Sequence, residues 1–174
     1  MPNTKPVGVA FSDPELTAGT TITGATLDST TLVNSNVRSG FSVSQQGATI
    51  AVTTAGTNDV FVVAPVAGVP SAARFSGVDA LTASDSNYIT FSIANLGTTG
   101  SGTAAMLAAT DANTTKATGG TGLTANALRT LTLNGTAANL VVAAGDRLRI
   151  RATVTGTLAN TVTFPVYSLN FTVA

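Results

Sequence analysis

The chain has no histidine, no cysteine and no tryptophan, and only 9% of its 174 residues are charged. Each absence removes a class of chemistry. Without histidine there is no imidazole general base, no nucleophile–histidine–acid arrangement and no usual zinc ligand set. Without cysteine there is neither thiolate catalysis nor a disulfide framework, so the redox compartment leaves no mark on the sequence. Eight basic and eight acidic residues cancel to a formal net charge of zero, with a pI near 6.0. Such a balance offers no basic field to nucleic acid and no polybasic run to an anionic membrane. The opening residues Met1–Pro6 lack the apolar core of a signal peptide, and no stretch approaches the ~20 apolar residues of a membrane span. The expectation is a protein made in a cytoplasm.

The remaining route to catalysis, a carboxylate pair, is poorly supplied. The acids are scattered as Asp13, Glu15, Asp28, Asp59, Asp79, Asp85, Asp111 and Asp146. Asp79 and Asp85 are the nearest pair in the C-terminal part, but the loop between them lacks the dense ligand spacing of a calcium site and reads as solvated turn. The glycine clusters lack the Lys-Ser/Thr that follows a phosphate loop, since Lys116 precedes its glycines. Asn113, Asn134 and Asn170 begin sequons that reflect abundant threonine. No catalytic residue, metal ligand or cofactor site is expected.

What is present is aliphatic and small. Hydrophobic residues make up 44% of the chain, and Thr, Ser, Asn and Gly must supply most of the polar surface. Thr and Val suit a pleated surface, Gly and Asn suit turns, and this much aliphatic content argues against disorder. The length accommodates one domain with a proper core and an appendage.

Taken in order, residues 1–18 carry Pro2, Pro6 and Pro14, which remove donors and bias their predecessors toward extended backbone. An extended N-terminal arm is expected, in which Val9 and Phe11 either dock on a neighbour or pair as an edge strand of the same domain. Residues 19–40 place Ile22, Leu27, Leu32 and Val37 at every fifth position with small or polar residues between. A period of five is neither helix nor strand; it matches a chain coiling into a narrow solenoid, or else a Thr/Ser-rich linker of accidental spacing. Four aliphatic side chains cannot by themselves offset the ordering of a whole coil. A pentad coil here needs a neighbouring domain or copies from sister subunits, or else it is an arm that orders on binding.

From residue 41 to 174 the period becomes two. Tyr88–Ile93 alternates, with Ile89, Phe91 and Ile93 on one face; Ile50 with Val52, and Leu131 with Leu133, do the same; Asp59–Val63 is a short apolar run. In Asp146–Thr155 the buried set is Leu148, Ile150, Ala152 and Val154. The last strand starts with Phe164 and Val166 on one face and ends with Leu169, Phe171 and Val173 on the other, which predicts a bend near Ser168. Ala104–Ala109 fits either a strand or one or two helical turns. Turn chemistry lies at Gly97–Gly102, Gly119–Gly122, Asn134-Gly135 and Ala144-Gly145-Asp146. Roughly eight strands with long loops predict an all-β, jelly-roll-like β-sandwich. Arg147, Arg149 and Arg151 alternate opposite Leu148 and Ile150, as a solvated face or as a contact row for the acids of a partner.

The string from Thr20 through Ile22, Leu27 and Leu32 resembles the short pentad coils of tailed-phage head fibre and head decoration proteins. The segments Ala143–Leu148 and Thr161–Val166 resemble, in style, jelly-roll domains of phage virion proteins. The resemblance implies a structural virion protein, not an enzyme, that decorates or cements the outside of a capsid. It implies a homotrimer with Ile22, Leu27, Leu32 and Val37 near the threefold axis. The major capsid protein would be its partner, met by Val9 and Phe11 of the arm and by the arginine row, and neither nucleic acid nor membrane would be bound. The alternative is a fibre or receptor-binding module for a host surface glycan. The 5% aromatic content, without tryptophan, supplies few sugar-stacking rings and favours cement over lectin.

Overall fold

A computed structural model describes residues 40–51 and 55–173. The expected arm, and the expected coil up to residue 39, lie outside the described residues, and with them Val9, Phe11, Ile22, Leu27, Leu32 and Val37. The described residues fold as an all-β body of eight strands, with two short 3-10 turns at Asp111–Asn113 and Ala137–Leu140 in place of any α-helix. The strands are β1 (Phe41–Gln46), β2 (Gly56–Val63), β3 (Gly68–Ser76), β4 (Tyr88–Asn95), β5 (Ala104–Ala105), β6 (Arg129–Leu131), β7 (Arg147–Thr155) and β8 (Val166–Val173).

They form two four-stranded antiparallel sheets, ordered β1-β8-β3-β6 and β2-β7-β4-β5. Four of the pairings, β1 with β8, β2 with β7, β3 with β6 and β4 with β5, are those of one long hairpin whose tip lies between β4 and β5. The other two, β3 with β8 and β4 with β7, join turns of that ribbon to one another. Every connection except β4 to β5 passes from one sheet to the other.

The core forms where the inward faces meet. β4 contributes Ile89, Phe91 and Ile93, and β7 contributes Leu148, Ile150, Ala152 and Val154, all buried as the alternation requires. Facing them are Ala73 and Phe75 of β3 with Tyr167, Leu169 and Phe171 of β8. Phe75 bridges the sheets, its ring centroid 4.6 Å from that of Phe91 and 5.2 Å, edge-on, from that of Tyr167. Such tilted pairs add about 0.5–1.5 kcal/mol each beyond burial. Ala104–Ala109 resolves into the two-residue β5, followed by buried Met106 and by Leu107, which bridges to Leu133. Gly145, at φ +84°, makes the expected turn before β7.

β8 departs from the expectation. Its register with β1 runs unbroken from Phe41↔Phe171 to Gln46↔Val166, so there is no bend at Ser168. The buried face is Tyr167, Leu169 and Phe171, and Phe164 lies outside the strand, 63% exposed and at φ +46°. The expected strand begins two residues early, at Phe164, and its expected change of face near Ser168 does not occur: Leu169 and Phe171 share one buried face with Tyr167, and Val166 points away from it. Phe164 belongs to the turn before Pro165, whose carbonyl accepts a bond from the amide of Gly47 at 2.8 Å. The irregularity falls instead on β3, between Pro70 and Ala72, where a proline without an N–H interrupts the ladder.

Candidate functional site

Because β7 buries its even-numbered side chains, Arg147, Arg149 and Arg151 emerge on the outer face of the β2-β7-β4-β5 sheet. Register then decides what each one meets. On the β2 side Arg151 lies opposite Asp59, Arg149 opposite Phe61 and Arg147 opposite Val63. On the β4 side Arg151 and Arg149 lie opposite the small residues Ser92 and Ala94.

The three arginines are not equivalent. Arg151 donates from Nε and Nη2 to the two carboxylate oxygens of Asp59, both at 2.6 Å, a two-pronged ion pair. The hydrogen bond from Arg151 holds the Asp59 carboxyl below the usual range, and the charges of Arg151 and Arg149 add to this against the opposing effect of burial. Among the described residues Arg149 forms no ion pair, and its buried Nε has no hydrogen-bond partner. The Arg147 guanidinium stands 5.6 Å from the centroid of the Phe61 ring. Phe61 is 48% exposed and Val63 59%. Among the described residues the face thus carries two arginines that form no ion pair, beside two exposed apolar side chains.

Sequence reasoning singled out the arginines but missed Asp59, Phe61 and Val63. Asp59–Val63 read as an apolar run with no marked outer face, and only pairing with β7 tells Phe61 and Val63 from buried Val60 and half-buried Val62.

A second feature is a cleft of about 330 Å³ where the segment 105–116 passes over β4, bordered by Tyr88, Ser92, Leu107, Asp111 and Lys116. Lys116 Nζ donates to Asp111 Oδ1 at 2.8 Å and lies 5.0 Å from the Tyr88 ring centroid. Behind the cleft, the Arg129 guanidinium donates to the carbonyls of Ala112, Thr114 and Thr121 and sits 5.4 Å from the Phe91 ring, tying these loops to the core.

The other polar residues are structural. Asp79 accepts bonds from the amide and hydroxyl of Thr163, and Asp85 from those of Thr118, so the two carboxylates staple different loops. These bonds hold both below the usual carboxylate range. Buried Asp146 accepts from Asn95 and from the amide of Ala143. Asn113 is also buried, its amide bonded to the carbonyls of Ala108 and Thr132, which leaves that sequon closed to modification. Among the described residues no group of three or more acids could hold a metal ion, and no helix is long and apolar enough to cross a membrane. Compared with family models, curated proteins and solved structures, the chain matches none.

Proposed function

We propose that the protein is a structural, non-enzymatic component of a tailed-phage virion, a homotrimer that decorates or cements the outer surface of the capsid. The observation that carries this reading is the strand order. A single hairpin ribbon rolled so that its pairs fall as β1-β8-β3-β6 over β2-β7-β4-β5 is what an eight-stranded jelly roll requires, and this supports the jelly-roll reading of the body. The pentad pattern of Ile22, Leu27, Leu32 and Val37 supports a coil shared between subunits, and the near-zero charge suits a protein whose working condition is assembled. Residues 1–18 serve as the arm that reaches the capsid, and contact with the major capsid protein rests on apolar arm and coil residues, with the arginine face giving registry.

The test is to titrate purified protein onto undecorated tailed-phage heads and follow co-sedimentation at low and high salt. Saturable binding that salt weakens only modestly is expected. Absence of binding to any head would overturn the reading. A fibre module for a host surface glycan is the second reading, favoured by the cleft beside Tyr88, where an aromatic ring, the Ser92 hydroxyl and a carboxylate border one opening. Binding to a glycan array that Tyr88→Ala abolishes would select it.

A further inference from the structure

The cleft over β4 is a gap in the edge of its sheet. On the side of β4 away from β7, the carbonyls of Ile89 and Ile93 accept from the amides of Thr115 and Met106, both at 2.8 Å. Between those two bonds residues 107–113 leave the edge: Leu107 bridges to Leu133, and the amide of Ala108 donates to the carbonyl of Thr132 at 3.0 Å, just past the end of β6 in the opposite sheet. Main-chain groups of an antiparallel strand turn to its two sides by alternate residues, so Phe91, midway between Ile89 and Ile93, points its N–H and C=O into the gap. Among the described residues neither group has a hydrogen-bond partner. We infer that these two main-chain groups make the cleft a binding site for a 2-acetamido sugar, whose acetamido carbonyl accepts from the Phe91 N–H while a neighbouring ring hydroxyl donates to the Phe91 C=O. This inference rests on the glycan reading of the cleft and names the class of sugar it takes.

The surroundings select that chemistry. Phe91 borders the cleft yet is 2% exposed, and its ring is taken up by Phe75 and the Arg129 guanidinium, so a partner must enter the cleft to reach its main chain. The open edge is about 14 Å long and is closed at its ends by the bridge Thr90↔Thr114 and the pair Ala94↔Ala105. A continuous strand, from a partner or from residues 1–39 of this chain, would run into those pairings, whereas a pendant group enters between them. A volume of about 330 Å³ is at the small end of ligand sites and suits one sugar residue. Leu107 and Ala108 offer apolar surface to the acetamido methyl, which a plain hydroxylated sugar lacks. A trans amide points its carbonyl and its N–H in opposite directions, so with the carbonyl on Phe91 the N–H faces the other wall. There stands the Asp111 carboxylate, which has acceptor capacity beyond its bond from Lys116. Tyr88 and Ser92 border the same opening and serve the sugar ring and its hydroxyls. A site whose buried polar groups a ligand must pair rejects the analogue that lacks the partner, and this gives the acetamido group its advantage.

The experiment uses the full chain, labelled with nitrogen-15, and follows the Phe91 amide by two-dimensional NMR. In the free protein that amide should exchange with deuterium at least about tenfold faster than the amide of Ile89, which donates to Thr115 Oγ1 at 2.8 Å. The probes are the methyl β-glycosides of N-acetylglucosamine and N-acetylgalactosamine, each against its glucose or galactose counterpart, and N-methylacetamide as the amide alone. At least one acetamido sugar should shift the Phe91 amide saturably, protect it from exchange, and bind about tenfold more tightly than its hydroxyl counterpart or N-methylacetamide. Ala108→Leu, which fills the place of the methyl, should weaken that binding about tenfold, and Gln45→Ala on the other sheet should leave it unchanged. Thermal melts separate loss of binding from loss of fold, and the exchange rates and the ranking of the probes are read on the wild type. The inference is overturned if the Phe91 amide exchanges as slowly as that of Ile89, because the gap is then already filled, or if Gln45→Ala weakens binding as much as Ala108→Leu. It is equally overturned if N-methylacetamide binds as tightly as the sugars, which would make the cleft a site for a peptide unit. Equal binding of the acetamido sugars and their counterparts would remove this inference and leave the glycan reading standing. Binding of no sugar would remove both and leave the capsid reading standing.

Discussion

Arg151 and Asp59, ninety-two positions apart in the chain, close a two-pronged ion pair at 2.6 Å across β7 and β2, while Arg149, one outward position away, forms no ion pair among the described residues. The pair is consistent with the register of β2 on β7 and engages one arginine of the row within the fold itself.

Asp59→Asn should therefore act on stability first. The two side chains are 26% and 30% exposed, so solvent screens the pair and its contribution is about 1 kcal/mol despite the bidentate geometry. A fall of a few degrees in Tm is expected, with m-value unchanged in urea. A melting curve identical to wild type would show that register is held by apolar pairing alone.

Acid should destabilise the body within a defined window. Asp59, Asp79 and Asp85 are all held below the ordinary carboxylate value of 3.8 by hydrogen bonds to their charged forms. A group whose pKa is depressed on folding contributes stability that is full above the unfolded value and lost as pH falls through the folded one. The urea midpoint should thus hold from about pH 8 to pH 5, since no histidine titrates there, and drop below about pH 4. A midpoint that moves between pH 7 and pH 5 would contradict this. Asp79→Asn combined with Asp85→Asn should flatten the acid limb.

Tyr167→Phe should be neutral or stabilising, by up to about 1 kcal/mol. The hydroxyl of Tyr167 is buried without a hydrogen-bond partner, and burial pushes its pKa up. Removing it discards an uncompensated desolvation while keeping the ring that packs on Phe75. Tyr167→Ala, by contrast, should cost about 3–5 kcal/mol by emptying the centre of the core. Chemical denaturation of both variants checks the pair, and a loss of more than 1 kcal/mol in Tyr167→Phe would reveal a bond to the hydroxyl.

Leu27→Asp tests the coil. If Leu27 sits on an apolar axis shared between subunits, an unpaired carboxylate there is very costly and the trimer should dissociate. Circular dichroism should retain the strand signal of the body, and light scattering should report the lower mass. A wild-type mass for Leu27→Asp would make residues 19–40 a linker.

What the sequence alone determined is which side of several strands would be buried. In β4 and β7 the strict alternation of Ile89, Phe91 and Ile93, and of Leu148, Ile150, Ala152 and Val154, sets the inward face, because successive side chains of a strand point to opposite sides. Turns such as Ala144-Gly145-Asp146 were legible for a similarly local reason, the positive φ that glycine tolerates. Where apolar residues run on without alternation, local pattern is silent. Tyr167 was passed over because Phe164 and Val166 offered a competing phase, and Phe61 and Val63 were indistinguishable from Val60 and Val62. Tertiary structure decided those cases through pairing between distant strands. β8 takes its phase from β1 and β3, and β2 takes its outer face from β7, so a one-residue shift of register would exchange inside for outside. The candidate site has the same origin: three arginines in a row are written in the chain, but which of them finds an acid and which stands beside an exposed phenylalanine depends on a strand more than eighty residues earlier.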